Sequence, residues 1–200
     1  MAPLLKHRDW TMNESIDAAA TSPPSQQVTL RNGTPVLIRV SLPQDRARIV
    51  AAFDKLESGT IYTRFFSMRK GLSEAELDRM TASDFVNFLM LAATVGTGAD
   101  ETVIGGASYV VLPPVEGART AEVAFTIEED YQGQGLAGKL MAMLAGIARR
   151  HGIDRLEADV LAGNAPMLAV FERSGLPLTK TREGGVTHVV MNLRQDSGKP

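Results

Sequence analysis

The feature that most restricts how this chain can fold is the stretch 121–150, where an alternating strand, a glycine-rich loop and a long helical pattern follow one another. In AEVAFTI (121–127), Ala121, Val123, Phe125 and Ile127 share one face, and Glu122, Ala124 and Thr126 share the other. YQGQGLAGKL (131–140) then places Gly133 and Gly135 just ahead of a helix over 136–150, in which Leu136, Leu140, Leu144 and Ile147 repeat at helical spacing. Arg149, Arg150 and His151 suit the negative end of that helix, and Gly152 stands where a C-cap is expected. The start of such a helix offers unpaired N–H groups and a positive dipole end, and glycine lets an anion approach them closely. No carboxylate occupies positions 134–137, so the site is open to a pyrophosphate.

Around this unit the pattern is mixed. Val28 to Arg31 and Val36 to Val40 read as a hairpin about Asn32-Gly33, a dipeptide suited to positive φ in a tight turn. Ser41, with Gln44 three residues on, reads as the N-cap of a helix running to about 57, with Ile49, Ala52, Phe53 and Leu56 as its apolar face. A short helix or turn is expected over 60–66, a Ser73-capped helix to about 80, and strands over 89–95, 102–111 and 121–127. After the long helix come a strand over 155–161, a helix over 165–173, and a closing hairpin (178–181 and 186–193) around Gly184-Gly185. The order predicts an α/β (α+β) fold, a mixed and mostly antiparallel central sheet with helices on both faces. Residues 1–27, ending in Ser22-Pro23-Pro24-Ser25 and holding the single tryptophan Trp10, read as a flexible arm; 28–194 read as one domain and 195–200 as a loose tail.

Composition excludes several chemistries. The chain of 200 residues carries a formal net charge of −2, so no basic field gathers nucleic acid. The absence of cysteine removes disulfides, thiolate metal sites and a thiol nucleophile. His7, His151 and His188 are scattered without ligand spacing, so no metal site is expected. No apolar run approaches the roughly 18 residues of a membrane span, and no signal-peptide core is present, so a cytoplasmic protein is expected.

Gly133-x-Gly135-x-x-Gly138 also matches the dinucleotide fingerprint, with Glu157 or Asp159 at about the required distance. In that fold the first glycine follows its strand almost directly, whereas here Glu128, Glu129, Asp130, Tyr131 and Gln132 intervene. About 60 residues remain after the loop, too few for a doubly wound domain. The bland alternative is a glycine-rich helix start that binds nothing.

These residues also carry a family resemblance. AEVAFTIEEDYQGQGLAGKLM resembles the central motif of the GNAT superfamily of N-acetyltransferases, with Gln132, Gly135 and Ala137 at the pattern positions. NAPMLAVFERSGL (164–176) resembles the second motif of that family, at matching separation. The stretch from Ile38 to Met80 is similar to the acetyltransferase domain of bacterial protein-lysine acetyltransferases, with Tyr62, Arg64 and Phe65 at the positions of a Tyr and an Arg-Phe pair. The resemblance implies acetyl-CoA as acyl donor, with Gln132, Gly133, Gln134, Gly135, Leu136, Ala137, Gly138 and Lys139 about its phosphates. It implies Phe125, Thr126, Ile127 and Asn164 beside the pantetheine arm, and Phe171 as a packing wall beside the cofactor or as plain core. Relatives of that kind often carry an attached cyclic-nucleotide-binding or acyl-CoA-synthetase-like domain; none is read in this sequence, so regulation of that kind is expected to need a separate partner.

Acetyl transfer to an amine needs the neutral amine. A lysine of pKa ~10.4 is neutral in only about one molecule in two thousand at pH 7, a cost of ~4.6 kcal/mol, which a nearby carboxylate offsets by taking the proton. Glu122, an ionisable residue in an apolar strand, is the candidate base, supported by a strand glutamate in the lysine-acetylating relatives. Its alternative is a solvated or salt-bridged strand glutamate. Glu128, Glu129 and Asp130 are poorer candidates, because they lie by the phosphate loop. A backbone N–H of Thr126 or Ile127 is expected to face the oxyanion. Asn164 is also a plain helix N-cap candidate. Where many family members place a tyrosine acid this chain has Phe171, which cannot donate a proton. Tyr62, Arg64, Phe65 and Phe66 are expected at the acceptor entrance, or as a hydrophobic hinge. The expected function is acetylation of protein lysines, with acetylation of a small-molecule amine and a non-catalytic acyl-CoA-binding module as alternatives.

Overall fold

The protein is described as a computed structural model covering residues 23–65, 67, 69–114 and 117–194. Residues 1–22 of the expected arm, the tail over 195–200, Phe66 and the side chain of Phe65 lie outside the described residues.

An eight-stranded sheet organises the chain. The strands are β1 (Ser25–Thr29), β2 (Pro35–Val40), β3 (Phe88–Val95), β4 (Thr102–Val111), β5 (Thr120–Ile127), β6 (Arg155–Leu161), β7 (Leu178–Glu183) and β8 (Val186–Asn192). Their spatial order is β1-β2-β3-β4-β5-β6-β8-β7. Every neighbouring pair is antiparallel except β5 and β6. That one parallel pair needs a crossover, and the long helix supplies it. The helices are α1 (Arg46–Lys55), α2 (Ser58–Phe65), α3 (Glu74–Met80), α4 (Leu136–Arg150) and α5 (Ala165–Glu172).

Helix α4 buries the stripe its spacing predicts: Leu136, Leu140, Leu144 and Ile147 are each at most 1% exposed. They pack with Leu91, Tyr109, Val123, Leu156, Phe171 and Val189 in the main core, beneath α4 and α5. Truncating one such leucine to alanine costs about 2–5 kcal/mol in a core that does not collapse. Ile49, Phe53, Ile61 and Leu77, from α1 to α3, are buried separately from that cluster. The mixed, mostly antiparallel sheet flanked by helices is the architecture expected.

Two local readings change. Strand β1 begins at Ser25, so 25–27 pair with β2 rather than belonging to the arm. The turn that follows closes over 30–34: Leu30 N–H bonds Thr34 O at 2.9 Å and Gly33 N–H bonds Leu30 O at 3.0 Å. Only Gly33 takes positive φ (88°), and Asn32 instead accepts from Thr34 N–H through Oδ1. The loop is therefore longer than a two-residue turn.

Ser41 is not an N-cap. It is 2% exposed, and its N–H donates to Met90 O, which ties it to β3. The turn before α1 is closed by Asp45, whose Oδ2 accepts from Leu42 N–H at 2.8 Å. Asp45 also binds Arg39 bidentately, at 2.6 and 2.8 Å, and Arg39 reaches Glu101 at 2.8 Å. Burial alone would raise the Asp45 carboxyl, but the Arg39 and Leu42 hydrogen bonds and the charges of Arg39 and Arg48 outweigh it and hold it below its ordinary value. Ser73, by contrast, caps α3 as its sequence predicts, in a reciprocal box with Glu76. Paired with Arg69, the Glu76 carboxyl is held down to about 2.

Candidate active site

The site begins where the sheet stops being continuous. Strands β5 and β6 are in register only at Thr120↔Arg155, Ala121↔Leu156 and Glu122↔Glu157. Beyond Glu122 they part, although β5 continues along β4 to Ile127. The antiparallel ladder fixes which β5 groups face the gap. Leu112 N–H bonds Thr120 O at one end and Glu128 N–H bonds Ile104 O at the other. By alternation, even-numbered residues direct their N–H and C=O groups at β4, while Val123, Phe125 and Ile127 direct theirs into the gap. The expectation for the oxyanion donor is thereby narrowed: Thr126 N–H points at β4, and Ile127 N–H does not. The side chain of Gln132 independently marks the open side, since its Nε2 donates to Ile127 O at 2.9 Å.

Strand β4 meets this end of β5 closely. A Cβ on Gly105 would stand 2.7 Å from Thr126 O and 3.1 Å from Ile127 Cα, so only glycine permits the approach.

The phosphate loop follows through a 3-10 turn at Glu129–Tyr131. Gly133 and Gly135 take φ of 69° and 90°, the left-handed region that glycine enters without a Cβ penalty. Gly135 is the N-terminal flank of α4, and no side chain caps the helix there, so its first N–H groups face outward. Three long-range contacts hold the loop. Arg31 N–H bonds Gln134 O at 3.2 Å, and Arg31 Nη1 donates to Gly133 O at 3.1 Å. Gln132 Nε2 also reaches Thr60 Oγ1 in α2 at 3.2 Å. Glu129, a poor base by its place in the loop, instead braces the fold. Its Oε1 accepts from Glu57 N–H at the start of α2, at 3.0 Å.

An open cleft of about 1020 Å³ runs from this loop to the gap. Of the residues expected at the cofactor, Phe125, Thr126, Ile127, Gln132, Gly133, Gly135, Leu136, Ala137, Gly138 and Asn164 line it. Gln134, Lys139 and Phe171 do not. Gln134 contributes its carbonyl to the Arg31 contact, and Phe171 is 1% exposed, packed edge-on to Phe125 with ring centroids 5.8 Å apart. Arg31, Thr60, Met141, Arg149 and Arg173 also line the cleft, and the sequence points to none of them as cofactor contacts. They stand outside the glycine motif, so no local pattern marks them.

A second, smaller cleft of about 330 Å³ lies across the gap, lined by Glu122, Arg64, Asp159, Val186 and the floor residue Phe171. Thr63, Phe125, Asn164 and Met167 line both clefts, so the two meet there. Glu122 is exposed on this side. Burial lowers the Arg64 guanidinium, opposed by the charges of Glu122 and Glu76. Asn164 caps α5, its Oδ1 accepting from Met167 N–H at 3.2 Å. Tyr62, also expected at the entrance, is 46% exposed and lines neither cleft. His188 pairs with Asp159 at 2.8 Å, but among the described residues no three His, Asp or Glu side chains could hold a metal ion.

A glycine loop at a helix start, a split between two parallel strands and a cleft joining them restrict the comparison to few folds. A sequence profile of the acetyltransferase (GNAT) family matches residues 61–176. The chain belongs to the GNAT acetyltransferase family. It is 34% identical over 148 residues to the acetyltransferase Pat of Mycolicibacterium smegmatis, covering 74% of this chain and 43% of that protein. It is 32% identical over 139 residues to an acetyltransferase of Pseudomonas aeruginosa, covering 70% of this chain and 73% of that one. The crystal structure of the GNAT domain of S. lividans PAT superposes with a TM-score of 0.75 at 32% identity, covering 84% of this chain and 96% of that domain. This GNAT chain thus spans less than half of the Mycolicibacterium protein. Acetyltransferases of the family take acetyl-CoA as acyl donor, and the larger cleft has the loop, the length and the polar backbone to receive it. Among the described residues no helix is long and apolar enough to cross a membrane.

Proposed function

We propose that this chain acetylates lysine side chains of a protein, with Glu122 taking the proton of the attacking amine. The observation that carries the reading is the meeting of two clefts at Phe125, Asn164 and Met167, with the phosphate loop on one side and Glu122 on the other. A donor seated on the loop and an amine entering past Glu122 come together at the split.

Acetyl-CoA supplies an acetyl group activated on a thiol leaving group. The loop from Gln132 to Gly138 holds its phosphates through backbone N–H groups and the α4 dipole. The inward N–H groups of Phe125 and Ile127 hold the pantetheine arm and meet the negative charge that grows on the attacked carbonyl oxygen. Asn164 borders the same arm. Glu122, exposed and therefore in contact with water, takes the amine proton directly or through a water and releases it to solvent. Phe171 gives the departing thiolate no proton, so the proton it takes up comes from solvent or from the amine itself.

The smaller second cleft suits one extended amine-bearing chain. A lysine side chain fits that description and so does a small free amine, which is the second reading. Purified chain, incubated with labelled acetyl-CoA and a cell extract, is expected to place label in protein at lysine. Label in small molecules alone would replace lysine by a free amine. Donor binding without turnover on any amine would leave only an acyl-CoA-binding module, and no thermal shift with acetyl-CoA would sink the account as a whole.

A further inference from the structure

The β1–β2 hairpin stands about a hundred residues before the phosphate loop, yet it is bonded to it. Arg31 contributes two contacts that fix different things. Its backbone N–H holds Gln134 O, which sets where the hairpin lies, and its guanidinium donates through Nη1 to Gly133 O, which sets where the charge lies. The guanidinium crosses beside Gly135: a Cβ built there would be 3.9 Å from Arg31 Nε. Arg31 lines the donor cleft at the loop, and no carboxylate among the described residues forms a salt bridge with it. A guanidinium carries five N–H donors, so one bond to Gly133 leaves a fork free for an anion. The cleft's own carboxylates, Glu57 and Glu129, lie toward α2, and Glu129 is bonded to the Glu57 N–H.

We propose that Arg31 is a donor-binding residue, a cationic clamp on the diphosphate of coenzyme A that stands beside the α4 N-terminus. This inference rests on the acetyl-CoA reading and adds to it a side-chain charge where the helix start offers only backbone dipoles. The hairpin thereby becomes part of the donor site rather than an edge of the sheet.

Steady-state kinetics with three donors test it: acetyl-CoA, acetyl-dephospho-CoA and acetyl-pantetheine. Arg31→Gln removes the charge while keeping a donor for Gly133 O, and Arg31→Lys keeps the charge. Arg31→Gln is expected to raise KM for acetyl-CoA and acetyl-dephospho-CoA about tenfold or more, the usual scale for a lost charge-assisted bond. It should leave kcat/KM for acetyl-pantetheine within about twofold, and Arg31→Lys should recover most of the loss. The salt dependence of KM for acetyl-CoA should flatten in Arg31→Gln. A penalty present with acetyl-CoA but absent with acetyl-dephospho-CoA would move Arg31 to the 3′-phosphate and overturn the diphosphate assignment. An equal penalty on all three donors, or none, would make Arg31 a structural strut and overturn the clamp. Wild-type chain that uses none of the donors would instead remove the acetyl-CoA reading beneath it.

Discussion

The two clefts that meet at the split strands are built by different means. The donor cleft is made largely of backbone: glycines at positive φ, the first turn of a 15-residue helix, and the inward amides of Phe125 and Ile127. The smaller cleft, the proposed acceptor cleft, is made of side chains from separate elements, Arg64 on α2, Glu122 on β5 and Asp159 on β6. A backbone site leaves its mark in the local sequence, because only certain residues permit the conformation. A side-chain site leaves a fainter one: Glu122 stands out as an ionisable residue in an apolar strand, but only the fold decides what stands opposite it. The difference predicts that the two clefts can be disabled independently.

The largest separation is expected from Glu122→Gln. It should lower kcat about a hundredfold or more at neutral pH, the scale of a lost general base, while the thermal shift produced by acetyl-CoA stays as in wild type. The deficit should shrink as pH approaches the amine's own pKa, because the neutral amine then needs no base. Unchanged turnover would return Glu122 to the role of a solvated strand residue. Gly135→Val works in the opposite direction. A β-branched residue at φ 90° is strained by about 1–3 kcal/mol, so donor affinity by calorimetry should fall about tenfold or more. Acceptor affinity at saturating donor should hold.

Gly105→Ala acts on the end of β5 next to Phe125, which lines both clefts, because its new Cβ would press on Thr126 O and Ile127. A several-fold fall in kcat and a melting temperature lower by a few degrees are expected, and wild-type values for both would show that the strand end adjusts freely. The smallest kinetic effect belongs to Asp45→Asn, remote from both clefts. Its folded-state carboxyl is depressed, so its stabilisation is present above the unfolded value of about 3.9 and is lost as pH falls through the lower folded value. Wild type should therefore lose stability on acidification through that window more steeply than Asp45→Asn, with KM for donor and acceptor unaltered in the variant. Equal acid sensitivity would show that Arg39 and Asp45 gain nothing from each other.

The same division explains which parts of the molecule are legible in its sequence. The 136–150 helix and the 155–161 strand coincide with α4 and β6, because periodicity and flanking glycines settle them locally. Ser41 misleads because its capping pattern is genuine as sequence but is overridden by burial: β3 takes its N–H, and Asp45 closes the turn instead. Asn32-Gly33 marks the correct turn but not its length, which is set by the pairing of Leu30 with Thr34. The motif leaves Phe171 either beside the cofactor or in the core, and its burial and its contact with Phe125 put it in the core, beneath the neighbouring cleft. Arg31 carries no signal at all, because its partner Gly133 is 102 residues away.

The early end of the β5–β6 pairing has one more consequence. A central strand with unspent amides is a sheet left incomplete in its interior, where such groups are normally all engaged. On the proposed reading, a donor along β5 acts as a temporary extra strand, finishing the sheet from outside the chain. Donor capture then adds hydrogen bonds that folding alone leaves unmade, and the melting temperature of this protein becomes a gauge of how much donor surrounds it.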